Sequence, residues 1–128
     1  MLPPLLQQIG MTVPIFQAPI GSIATAALAA AVSNAGGLGH LACTWNSAGQ
    51  IGELIRRTRA LTDHPFGVNF VLDFPVEDLL EEALASGVAA VSFFWGDGGR
   101  YYDRVKTGGA IAIQIVGSLS EARNAADQ

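Results

Sequence analysis

Pro65-Phe66-Gly67-Val68-Asn69-Phe70 is the stretch on which the fold turns. It is a short apolar run entered through Asp63-His64-Pro65, the pattern of a strand buried on both faces. One polar side chain, Asn69, stands near its C-terminal end. A buried amide left unpaired costs roughly 1–3 kcal/mol, so Asn69 needs partners. In parallel α/β sheets ligands bind at the carboxyl ends of the strands. Asn69 is therefore either a structural amide satisfied by neighbouring backbone or a group that meets a ligand.

Working outward, the chain reads as strand and helix in alternation. Val13–Ala18 is a first strand, with Pro14 near its start where no ladder donor is needed. Pro19-Ile20-Gly21 turns, and Ser22 caps an alanine-rich helix from Ile23 to about Asn34. Its small side chains make it thin enough to lie close to a sheet. Asn34-Ala35-Gly36-Gly37 stops it, with glycine supplying a left-handed cap. Leu38–Leu41 is a short second strand. Asn46 or Ser47 opens a helix to about Leu61, with Ile51, Leu54, Ile55 and Thr58 at helical spacing. After the Asn69 strand, Asp73 caps a helix that begins at Phe74-Pro75-Val76-Glu77 and closes at Ser86-Gly87. Val88–Phe94 is a fourth strand, Arg100–Lys106 a short helix, and Ala110–Val116 a fifth strand. Ser118 or Ser120 caps a last helix that runs to Gln128.

Five strand–helix repeats imply parallel βαβ units of about 30 residues or fewer. Near-continuous apolar strands imply a sheet covered on both faces. Two closures remain open: a doubly wound sheet of flavodoxin type, or part of an eight-fold barrel, which needs about 250 residues.

Composition bounds what such a chain does. Its 128 residues are 50% hydrophobic and 14% charged, enough to build one core. The net charge of −4, without a basic cluster, argues against nucleic acid as the main partner. Cys43 is the only cysteine, which excludes an internal disulfide and a CxxC metal site. The start, Met1-Leu2-Pro3-Pro4, lacks a basic region and a long apolar core, so no signal peptide is expected. The apolar run Ile23–Val32 is too short to span a bilayer. A soluble, cytoplasmic protein is the expectation.

Several residue types that often carry chemistry have plainer readings here. Gly36-Gly37-Leu38-Gly39 follows a helix and enters a strand, the reverse of a dinucleotide fingerprint, so it reads as a helix stop with close backbone packing. Gln17-Ala18-Pro19-Ile20 either lets a flat ligand approach the backbone or is a simple strand-to-helix turn. His64 precedes a strand, away from the expected site, and reads as a loop residue. His40 stands nearer the site end. Cys43 has no basic neighbour to lower its pKa and reads as an inert thiol. The aromatics of Ser92-Phe93-Phe94-Trp95 wall either a pocket or the core. Gln114, a second amide inside an apolar strand, either shares a face with Asn69 or bonds to facing backbone. No Walker loop, metal-ligand cluster or Ser-His-Asp arrangement is visible.

Gln17-Ala18-Pro19-Ile20, Gly36-Gly37-Leu38-Gly39, Pro65–Phe70 and Val91-Ser92-Phe93-Phe94-Trp95-Gly96, in this order and spacing, resemble the nitronate monooxygenase (2-nitropropane dioxygenase-like) family. The resemblance runs from about Val13 to the end. It implies a TIM (β/α)8 barrel that binds FMN at the carboxyl ends of its strands and oxidises alkyl nitronates with O2, without a metal. It implies that residues 1–128 are the N-terminal five units of one FMN-binding domain. By the same resemblance, backbone around Gln17, Ala18, Pro19 and Ile20 flanks the flavin, Asn69 hydrogen-bonds it, and Gln114 lies close to it. The family's catalytic histidine stands in a Gly-Gly-His segment that would follow Gln128, as would the phosphate-binding loops. His40 does not match it, and no catalytic residue is assigned in this chain. The chain alone is then expected to be inactive and to hold FMN weakly or not at all. The alternatives are a flavin-dependent enoyl-acyl-carrier-protein reductase-like enzyme on the same barrel, or a non-catalytic half-barrel. The half-barrel would associate through its open edge strands, as a homodimer or with the missing part.

Overall fold

The computed structural model describes residues 1–128. Four parallel strands form one sheet: β1 (Gly39–Ala42), β2 (Phe66–Val71), β3 (Ala90–Phe94) and β4 (Ile111–Gln114). Six helices accompany them: α1 (Pro4–Ile9), α2 (Ala26–Asn34), α3 (Ala48–Arg59), α4 (Glu77–Ala85), α5 (Gly99–Thr107) and α6 (Leu119–Ala126). The strands lie in the order β1-β2-β3-β4, all parallel. A doubly wound sheet reverses its order at a switch point. Sequential order without reversal is that of a (β/α) barrel wall, and it decides between the two closures.

The helical face holds the main core. Phe66, Val68 and Phe70 of β2, with Val91 and Phe93 of β3, pack against Ile51, Ile55, Leu80 and Val105. The opposite face is buried with far less cover. Ile9 and Met11 close it at the N-terminal end against Leu38 and Ala90. Helix α1 carries no sequence pattern that marks it. It is short, starts on Pro4, and ends at Gly10 in the left-handed region (φ +91°).

The anticipated first strand is a correction. Val13–Ala18 makes only one bridge, Phe16 beside Leu38. Pro14 has no N–H, Ile15 N–H turns back onto Val13 C=O at 2.9 Å, and no strand flanks the segment's other side. The Gln17 side chain continues the pairing instead. Its Nε2 donates to His40 C=O at 2.9 Å and its Oε1 accepts from His40 N–H at 3.4 Å. One amide side chain thus stands in for a missing stretch of ladder.

Two helix starts also differ. Residues Gly21–Ile23 form a 3-10 turn, and Thr25, not Ser22, caps α2 by accepting from Leu28 N–H at 3.2 Å. Asp73 caps nothing; Glu77 Oε2 accepts from Val76 N–H at 3.1 Å where α4 begins. Elsewhere the caps are as expected. Ser47 and Gln50 form a reciprocal capping box on α3, and Ser118 accepts from Glu121 N–H. Gly36 takes φ +90° after α2. A Cβ on Gly39 would stand 2.0 Å from Ala29 C=O, so the thin helix does lie directly on the strand. No helix is long and apolar enough to cross a membrane.

Candidate functional site

Register sorts the strand residues onto two faces. Away from the helices lie two rows: His40, Gly67, Ala90 and Ile111 below, and Ala42, Asn69, Ser92 and Ile113 above, nearer the carboxyl ends. Asn69 is buried. Its Nδ2 donates to Ser92 Oγ at 2.9 Å and to Ser92 C=O at 3.2 Å. Its Oδ1 accepts no hydrogen bond within the chain. The amide is anchored on one side and open on the other. Ser92 carries the same sequence signal as Asn69, a polar residue in an apolar strand, but the aromatic run that follows it masks that signal.

Gln17 and Asn69 flank β1 on opposite sides. Ala18 follows Gln17, and its N–H enters no hydrogen bond. Ala18 and Ile20 are exposed and Pro19 is half-buried. The Gln17 side chain is spent on His40, so any contact there comes from backbone. An open donor at Ala18 N–H and an open acceptor at Asn69 Oδ1, separated by small Ala42, suit a flat group with polar edges.

Gln114 lies on the other face. Its row contains Phe70 and Phe93, on the helical face. Oε1 accepts from Gly98 N–H at 3.0 Å and Tyr102 O–H at 3.1 Å, and Nε2 reaches the carbonyls of Gly96 and Ile115. The amide ties the β3–α5 turn to β4 and has no capacity left for a ligand on the other face.

The mouth above the upper row is aromatic. Trp45 follows β1, Phe74 follows β2, and Phe94 and Trp95 end β3, all exposed. Phe93 is different: it is buried and stacked on Tyr101 at 5.5 Å. Trp95 holds φ +51°, the only non-glycine residue at positive φ. A cleft of about 360 Å³ opens beside Ala42, lined also by Gly21, Ser22, Thr25, Trp45 and Arg57. A larger groove of about 700 Å³ lies between α3 and α4, on the outside and away from Asn69.

His40 is buried, and burial drives its pKa down to about 4, with the Val68 backbone pulling weakly the other way. It is a neutral imidazole near pH 7. Cys43 is buried on the helical face, and burial pushes its thiol up to about 12, which removes it as a nucleophile. His64 is exposed before β2, as expected.

Fold and site together define a parallel α/β protein of (β/α)-barrel type, with a polar row facing inward at the carboxyl ends of its strands. The nitronate monooxygenase family model matches residues 3–83, and the chain belongs to that family. A nitronate monooxygenase of Pseudomonas aeruginosa is 52% identical over 67 residues, 52% of this chain and 19% of the relative. A (3aS,4S,5R,7aS)-5-hydroxy-7a-methyl-1-oxo-octahydro-1H-indene-4-carboxyl-CoA dehydrogenase of Mycobacterium tuberculosis is 36% identical over 124 residues, 96% of this chain and 35% of the relative. Among solved structures, FabK from Thermotoga maritima superposes with a TM-score of 0.91 at 32% identity, over 96% of this chain and 40% of that one. Nitroalkane oxidase from Streptomyces ansochromogenes gives 0.81 at 27% identity, over 96% and 45%. The chain thus spans about a third or less of the curated relatives described here.

Proposed function

We propose that the chain forms the N-terminal wall of an FMN-binding barrel oxidoreductase of nitronate monooxygenase type, acting on alkyl nitronates with O2. The observation that carries this reading is Asn69: buried, anchored by Ser92, and open at Oδ1 on the inward face. Asn69 Oδ1 would accept from the flavin edge, and the backbone of Gln17, Ala18, Pro19 and Ile20 would flank it, with Ala18 N–H as donor. Bound FMN would supply the electron acceptor for the nitronate and the electron donor to O2. The residues of this chain bind and orient; neither histidine has the placement of a base. Gln114, in the row of Phe70 and Phe93, is left outside this reading.

A chimera joining residues 1–128 to the remaining length of the Pseudomonas relative tests this. It should bind FMN, and N69A should weaken that binding roughly tenfold, the loss of one buried hydrogen bond. Equal affinity in N69A would remove Asn69 from the site. A second reading is supported by identity over the whole chain. Over 96% of the chain the carboxyl-CoA dehydrogenase is 36% identical and FabK 32%, against 27% for the nitroalkane oxidase. That reading is a nicotinamide-dependent flavoenzyme acting on a thioester, of the enoyl reductase kind. Nitronate turnover without NAD(P)H supports the first; a strict requirement for reduced nicotinamide supports the second.

A further inference from the structure

Buried polar atoms in folded proteins are almost always hydrogen-bonded, and each exception calls for a physical reason. In this chain the only buried side-chain nitrogen or oxygen without a partner is His40 Nε2. It stands on the inward face, packed over Gly67. A Cβ there would come within 2.8 Å of both Cε1 and Nε2, so only glycine admits the ring in this pose. Asn69, two residues after Gly67 on the same strand and face, carries the second open acceptor, Oδ1. Ser92 Oγ accepts from Asn69 Nδ2, and its own proton has no acceptor in the chain.

We propose that His40, Asn69 and Ser92 together hold one internal water molecule, through which His40 positions the Asn69 amide. The chemistry matches atom for atom. The Val68 backbone lies beside the imidazole; if the proton is on Nδ1, the unpartnered Nε2 is an acceptor. A water gives one hydrogen to Nε2 and one to Asn69 Oδ1, and accepts the third bond from Ser92 O–H. Three bonds is the usual number for a buried water. Spacing agrees. Same-face residues i and i+2 are roughly 6.6 Å apart along a strand, and a water whose two hydrogens diverge at about 105° bridges acceptors about 4.5 Å apart, so the two side chains must lean toward each other by about 2 Å. The water site is a property of the polypeptide alone; only its bearing on flavin rests on the function proposed above.

The test uses the flavin-free chain, so failure to take up FMN leaves it intact. Two-dimensional 15N–1H spectra of the imidazole should show the proton on Nδ1 and a hydrogen-bonded, unprotonated Nε2. Cross-relaxation should place a long-lived water at the His40 ring protons. H40L should lose that water and free the Asn69 amide, seen as faster rotation of its NH2 group, with the resonance assigned through N69D. A proton on Nε2, or no slow water at the ring, overturns the proposal, and so does a slow water that persists in H40L. Because the wild-type spectra decide the first two outcomes, a variant that folds poorly does not blunt the test.

Discussion

At the scale of single residues, His40 sets a pH signature. Its pKa falls from 6.5 to about 4 on folding, mainly through loss of hydration. The unfolded chain therefore binds a proton that the folded chain resists. Stability is full above about pH 6.5, declines as pH falls through the interval between the two values, and levels below about 4. Two to three units correspond to roughly 3 kcal/mol at the low end. Urea unfolding at a series of pH values should show that decline, and H40L should flatten it. Glu77, bonded to Tyr101 O–H, and Asp97, bonded to Gly99 N–H, are held below the usual carboxylate range. Their contributions are lost only as pH falls further, which separates them from His40. Gly67→Ala would push a methyl into the His40 ring and against Ala90 C=O, and should cost about 1–3 kcal/mol in thermal unfolding. Asn69 was legible because a lone amide in an apolar run is conspicuous. Gln114 gives the same signal and faces the other way. Residue type shows that an amide needs partners; register decides which face supplies them.

At the scale of elements, the seam between α2 and β1 is the tightest. Gly39 lies under Ala29 backbone, and a β-carbon there has nowhere to go. Gly39→Ala should destabilise by about 3 kcal/mol, read from the urea midpoint at unchanged m-value. Ser47→Ala should cost about 1 kcal/mol by opening the α3 capping box, while Ser22→Ala should cost little because Thr25 is the cap of α2. Helix interiors were readable from alanine content and periodicity. Helix starts were less so, because Ser22, Thr25 and Asp73 are all able caps and only the path of the backbone chooses among them. The Val13–Ala18 segment has strand composition, yet Pro14 within it, Pro19 after it and a single neighbour limit it to one bridge.

At the scale of the whole molecule, both sheet edges are open and apolar. Ile15, Phe16, Ile20 and Ile23 are exposed toward one, and Ile115, Val116 and Leu119 toward the other. Unpaired edges of this kind promote association. The chain should self-associate with rising concentration in sedimentation or size-exclusion measurements; a monomer at all concentrations would contradict that. Without further walls around Asn69, the chain should also fail to retain stoichiometric FMN through gel filtration. A yellow, flavin-loaded fraction would show that residues 1–128 suffice.

The sequence by itself determined the alternation of strands and helices, the apolar strands, the glycine seam and the candidate amide. Each is a local property, written in periodicity, turn chemistry or one misplaced polar residue. Family membership was legible too, because several short motifs kept their register. Only the tertiary structure decided that the strands follow one another without reversal, that Asn69 and Ser92 share a face, and that Gln114 does not. It also showed an imidazole nitrogen buried above Gly67. A strand buried on both sides presents the same apolar pattern to either face, so which side is the interior is settled only when neighbouring strands pair.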